Sequence, residues 1–208
     1  MSVELVEVLP PLPATKDDHL FPAAASISGR NGSRWATQTV AWNRGTADTA
    51  GATVDATVNV RLLPTDWIVG FSPTTTLTVG AGKIVSKDDP IGTEMGGTDS
   101  SGALRYTTAA TTTKFADFYS WIRVYRTRED GGTYGFARNY VKGALGIGEG
   151  ETGFLFAPPD AEAQRVNGGL FVVTAATGTV SVVDSGGTPL APPFSYKWPA
   201  GTQVQAST

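Results

Sequence analysis

The chain has no cysteine in its 208 residues. That excludes disulfide staples, thiol nucleophiles and cysteine-ligated zinc, and leaves the redox compartment open. It has one histidine, His19, so any Ser-His-Asp or Cys-His arrangement would have to commit that single residue. Charge is scarce: 17% of residues are charged, against about 25% in a typical soluble domain. The formal net charge of -3 lacks the basic field that general nucleic-acid binding requires. No run of about 18 apolar residues exists, so no membrane-spanning helix is expected. Met1 to Leu5 lacks the basic start and long apolar centre of a signal peptide. The expectation is a mature segment given a start Met, or a protein used without Sec export. No segment sustains a helical period.

What is present is turn and strand chemistry. Gly (25) and Pro (13) punctuate a chain otherwise rich in Thr, Ala and Val, a pattern of short strands between many turns. Five Trp, six Tyr and nine Phe supply material for burial. Val54 to Leu62 alternates most cleanly: Val54, Ala56, Val58, Val60 and Leu62 point inward, and Asp55, Thr57, Asn59 and Arg61 outward. Thr37 to Trp42 places Thr37, Thr39 and Ala41 opposite Gln38, Val40 and Trp42. Phe118, Ser120, Ile122 and Val124 alternate with Tyr119, Trp121, Arg123 and Tyr125. Asp130-Gly131-Gly132 and Asp184-Ser185-Gly186-Gly187 read as hairpin turns. Lys83 to Ile91 reads as a helical turn or an extended edge, and Gly92 to Gly102 as a loop. Many short strands at turn-bounded spacing predict an all-β sandwich or barrel.

A loose internal repeat sets the domain expectations. Ser33-Arg34-Trp35-Ala36-Thr37 opens a stretch that runs to Val79-Gly80-Ala81-Gly82-Lys83. Ala163-Gln164-Arg165-Val166-Asn167 opens a shorter version that runs to Trp198-Pro199-Ala200-Gly201-Thr202. The reading is two related β-modules, the second smaller or incomplete. The expected division is an N-terminal strand and Pro-rich arm over 1–22, a first module over 23–142, a Gly-rich linker over 143–153 and a second module over 154–208. An incomplete module needs another source of strands, which points to assembly.

Motifs that carry chemistry are few. Gly148-Glu149-Gly150-Glu151-Thr152-Gly153 matches G-x-G-x-x-G, but two carboxylates sit where a pyrophosphate would lie and Phe154-Leu155-Phe156-Ala157-Pro158-Pro159 follows. It reads as a linker. Asp17-Asp18-His19 and Lys87-Asp88-Asp89 lack the ligand spacing of a calcium site and read as solvated loops. No carboxylate pair stands out for glycosidase work. No catalytic residue, metal ligand or cofactor is expected. Tyr119, Trp121, Arg123 and Tyr125 share one strand face and form a candidate ligand platform, an aromatic surface with a cation suited to sugars or a partner side chain. The competing reading is that this face is simply core. Arg123, Arg126 and Arg128 read as a solvated rim.

Gly29-Arg30-Asn31-Gly32-Ser33-Arg34-Trp35-Ala36-Thr37 with Asn43 resembles the opening of tandem immunoglobulin-like modules in secreted and surface proteins of environmental bacteria. Asp88-Asp89, Ser101-Gly102-Ala103-Leu104-Arg105, Gly132-Thr133-Tyr134-Gly135 and Gln164-Arg165-Val166-Asn167 extend the resemblance over most of residues 23–205. It implies an extracellular, immunoglobulin-like β-sandwich without catalysis, used for display or adhesion.

The resulting functional expectation is a non-catalytic structural module that self-assembles or binds a surface partner, as a filament, surface-layer, capsid or decoration subunit. The alternative is a carbohydrate-binding or adhesion module. The expected location is the cell exterior or a virion; the expected partners are copies of itself, another structural protein or a glycan, with no nucleic acid and no membrane span. Val3, Leu5, Val6, Val8 and Leu9 form a strand-competent stretch ahead of the stiff Pro10-Pro11-Leu12-Pro13. They are the candidate assembly strand, expected to complete a sheet edge in a neighbour or to add the first strand of their own sandwich.

Overall fold

The computed structural model describes residues 18–29, 32–45, 54–65, 73–108, 117–127, 131–142, 148–153, 167–172, 175–199 and 202–207. The chain is all-β and its ladders are antiparallel. The candidate assembly strand, Val3 to Leu9, lies outside the described residues, as do Trp67 to Phe71, Arg128 and Asp130.

The first region contains β1 (His19–Ser28), β2 (Arg34–Asn43), β3 (Ala56–Pro64), β4 (Thr74–Val79), β5 (Ile84–Asp88), α1 (Pro90–Thr93), β6 (Ser100–Thr108), β7 (Phe118–Thr127), β8 (Thr133–Asn139) and β9 (Val141–Lys142). Two ladders share one strand. On one side β4, β3, β6 and β1 pair in that order, and β9 adds to β1. On the other, β2 pairs with β5 and β7, and β8 extends β7. β1 belongs to both: His19 to Ser26 pair with β6, and Ile27 and Ser28 with β2. A bulge between Phe21 and Ala24 bends it, and Pro22, which has no N–H to give, sits in that bulge.

The alternation in the sequence explains the core. Ala56, Val58, Val60 and Leu62 from β3 meet Leu104 and Tyr106 from β6 and Phe118, Ile122 and Val124 from β7 in one buried cluster. Strands from both ladders feed it, so the strand set folds over on itself about β1. The buried face of β2 is polar by comparison, with Thr37, Thr39 and Asn43 flanking Ala41. Thr37 and Asn43 are satisfied locally. Thr37 Oγ1 donates to the Ala25 carbonyl and accepts from the Ala25 N–H. Asn43 Nδ2 donates to the carbonyls of Val54 and Val79 at 2.8 and 3.0 Å, and its Oδ1 accepts from the Gly45 N–H. One buried amide thus ties the end of β2 to the start of β3 and the end of β4.

Several expectations change. Asp18 and His19 are not a solvated loop. Asp18 is 1% exposed and pairs with Arg105, whose Nε donates to Oδ2 at 2.8 Å. His19 is buried and begins β1, so the sheet starts ahead of the expected boundary at residue 23. Lys83 to Ile91 holds both an extended edge, β5, and the start of a helical turn, α1. Asp89, in the left-handed region at φ 46°, caps that turn and binds Ser26 Oγ at 2.9 Å, with Arg34 alongside. The end of the supposed Gly92–Gly102 loop is already strand, because Ser100 to Gly102 pair with β1.

The second region is two ribbons. β10 (Asn167–Val172) pairs with β13 (Thr202–Ser207). β11 (Ala176–Val180) pairs with β12 (Phe194–Trp198). β10 runs beside β1 and β13 beside β3. Asp184 closes the turn expected there, its Oδ1 accepting from the N–H groups of Gly186 and Thr188 at 2.8 Å each.

Candidate functional site

The pleat of β7 divides its side chains as the sequence indicates. Phe118, Ser120, Ile122 and Val124 are buried, while Tyr119, Trp121, Arg123 and Tyr125 lie half-buried on the opposite face. That face is the outer surface of the β5–β2–β7–β8 ladder. Register brings Trp42 opposite Tyr119, Val40 opposite Trp121 and Gln38 opposite Arg123. On the far side Asn139 faces Trp121 and Ala137 faces Arg123.

The four platform residues do different things. Arg123 turns toward one end: its guanidinium lies 5.0 Å from the Tyr125 ring centroid and donates to Thr133 Oγ1. Burial first, then Asp88 and Asp89, pushes the Tyr125 hydroxyl above its ordinary pKa. Gln38 Nε2 donates to Asp88 Oδ1 at 2.8 Å beside them. These contacts occupy that end with protein groups. Tyr119 and Trp121 belong to the other end, where Trp42 stacks on Tyr119 with centroids 5.4 Å apart and planes 28° from parallel.

At this second end the surface is concave. Trp42, Tyr119, Trp121, Asn139, Tyr140 and Lys142 line an open cleft of about 510 Å³ with Ser120 at its base. The cleft exists because the chain changes ladders here: β8 adds to β7, and β9 immediately afterwards adds to β1. Tyr140 sits at that crossing and is fixed from behind. Its ring stacks on His19 at 3.5 Å with planes 2° apart, and His19 Nδ1 bonds Ser120 Oγ at 2.7 Å. Burial, with Lys142 adding to it, lowers the His19 pKa to about 3, so the imidazole is neutral across the ordinary pH range. His19 is thus a flat, uncharged support behind the cleft.

Sequence reasoning singled out Tyr119 and Trp121 but not Trp42, Asn139, Tyr140 or Lys142. Trp42 was within reach, since it shares parity with Gln38 and Val40 on the outer face of β2. The others depend on the β8-to-β9 crossing, which no local pattern announces.

The remaining motifs have structural employment. Gly148 donates its N–H to Glu151 Oε2 at 2.7 Å, so a carboxylate of the same turn occupies an N–H that a phosphate would need. Asp88 and Asp89 are engaged by Gln38, Ser26 and Arg34. Among the described residues no group of three or more His, Asp or Glu is placed to hold a metal.

A second candidate surface lies on the β11–β12 ribbon. Phe194, Tyr196 and Trp198 share one face of β12, opposite Val180, Gly178 and Ala176. The other face is polar, with Thr179 and Ser195 joined by a 3.1 Å hydrogen bond. Phe194 is 55% exposed, Tyr196 53% and Leu190, just ahead of β12, 67%. The Trp198 ring lies so close over Gly178 that a Cβ there would force the ring to shift. Among the described residues neither edge of this ribbon pairs with another strand.

Comparison with known proteins finds no matching family model, no matching curated protein and no matching solved structure.

Proposed function

We propose that this chain is a non-catalytic structural module, its first region an immunoglobulin-like β-sandwich, that assembles with a second copy of itself through the aromatic face of β11–β12. One observation carries this reading: a two-stranded ribbon with Phe194, Tyr196 and Leu190 more than half exposed on or beside one face. An isolated two-stranded ribbon is marginal in water. Unpaired edges and contiguous apolar surface are what association removes from solvent. A second copy offers the same ribbon, and a two-fold pairing of like faces is self-complementary. Placement on a cell exterior or a virion belongs to this proposal, as does a role in a filament, surface layer, capsid or decoration.

The test is sedimentation velocity of the wild type and of Tyr196→Lys across a range of concentrations. The expected result is a concentration-dependent dimer or larger species that reverts to monomer in the variant. A wild type that stays monomeric throughout, or a variant that assembles as the wild type does, overturns it.

A second reading, a carbohydrate-binding or adhesion role, rests on other residues. Its support is the cleft at Trp42, Tyr119, Trp121 and Tyr140, where rings flank amide, hydroxyl and ammonium groups. Shallow aromatic clefts with a few polar groups suit sugars, whose C–H faces stack on rings while their hydroxyls take hydrogen bonds.

A further inference from the structure

Resting on the carbohydrate reading of that cleft, we infer that its ligand is an acidic saccharide, a uronic acid unit whose carboxylate is taken by Lys142. Among the described residues the lining contains no Asp or Glu: its groups are Trp42, Tyr119, Ser120, Trp121, Asn139, Tyr140 and Lys142. In a chain of net charge -3, a cleft with a single ammonium and no carboxylate is a local reversal of sign. Lys142 is exposed and makes no salt bridge among the described residues. Its charge is felt by His19, which is neutral and stacked behind Tyr140. It neither competes for an anion nor repels one.

The remaining groups fit a pyranose ring rather than a bare anion. Trp42, stacked on Tyr119 with planes 28° apart, provides an aromatic wall at the cleft. Asn139, exposed at the end of β8 opposite Trp121, presents an amide that both donates and accepts, matching vicinal hydroxyls. The wall is preorganised on both sides. Trp121 stands on a strand paired along its length with β2, and it is itself the end residue of that strand's pairing with β8. Tyr140 is held by the His19 stack and, through His19, by Ser120. Lys142 follows on β9, paired with His19 itself. The ring of a ligand would therefore meet aromatic groups already held by their stacking partners, and its carboxylate an ammonium carried on a paired strand.

The test measures binding of oligogalacturonate and oligomannuronate by titration calorimetry, each beside its fully methyl-esterified counterpart, which keeps the ring and removes the charge. Wild type, Lys142→Met, Trp121→Ala and Trp42→Ala are compared, with circular dichroism to verify folding. The expected result is that at least one acidic oligomer binds about tenfold or more tightly than its ester, as a charge-assisted contact implies, and weakens as salt rises. Lys142→Met should erase that preference, and either Trp variant should lose binding to acid and ester alike. If acid and ester bind equally, or Lys142→Met leaves the preference intact, the acidic assignment fails while the carbohydrate reading stands. If neither form of either oligomer binds a folded wild type, both fail.

Discussion

The two regions are built from the same residue types and treat them in opposite ways. In the first, Phe118 and Tyr106 are fully buried between ladders that share β1. In the second, Phe194 and Tyr196 stand on a ribbon with more than half their surface in water. Alternation of apolar and polar residues is equally clear in β7 and β12. It specifies which side chains share a face; a second layer decides whether that face is covered. In β7 the covering layer comes from β3, β4 and β6. Along β12 no layer from the described residues covers Phe194 and Tyr196, and that contrast makes the ribbon, not the core, the place to look for a partner.

The sharpest way to break this comparison is to truncate one phenylalanine in each region. Phe118→Ala should cost about 3–5 kcal/mol of stability, as deletion of a buried ring does. Phe194→Ala should change the stability of the monomer by less than about 0.5 kcal/mol, as an exposed substitution does. Urea unfolding at a concentration where the chain is monomeric measures both. Equal costs would mean that the ribbon is already packed within one chain.

The His19 support gives an effect of the order of a few kcal/mol, read against pH. An unfolded histidine takes up a proton below about pH 6.5, while the folded one resists until about 3. Unfolding therefore binds a proton throughout that window, and this contribution to stability, complete above the window, is lost as pH falls through it. His19→Gln should flatten the slope between pH 6.5 and 3. An unchanged slope would assign the acid sensitivity to other groups.

A smaller effect is expected at the β2 turn. Asn43→Ala should cost about 2 kcal/mol, because the buried carbonyl of Val79, the half-buried carbonyl of Val54 and the Gly45 N–H lose their partner. Thermal unfolding measures it, and a cost near zero would show that other groups or water replace the amide.

Much of the first region was legible because its strands are half-buried and alternate: Ala56 to Leu62 and Phe118 to Tyr125 sit on the faces that parity assigns. The all-β architecture followed from the same signal. Asp18 and His19 were misjudged because their polarity suggests solvent, whereas Arg105 and Ser120, far away in sequence, and the ring of Tyr140 partner them in the interior. The candidate cleft was half visible. Tyr119 and Trp121 announce themselves on one strand, but a surface made where a chain passes from one ladder to another has no sequence period. Arg123 and Tyr125 carried the same aromatic signature and turned out to satisfy each other and Thr133.

The pairing of His19 with Lys142 has a mechanical consequence. The strand that opens the first region and the strand that closes it meet side by side, in antiparallel register, so the backbone enters and leaves at one point. A pull on those two ends loads the β1–β9 contacts one after another, like a zipper, rather than shearing a long ladder at once. Force applied through those two ends would therefore peel β9 from β1 before it loads the ten-residue β2–β7 ladder.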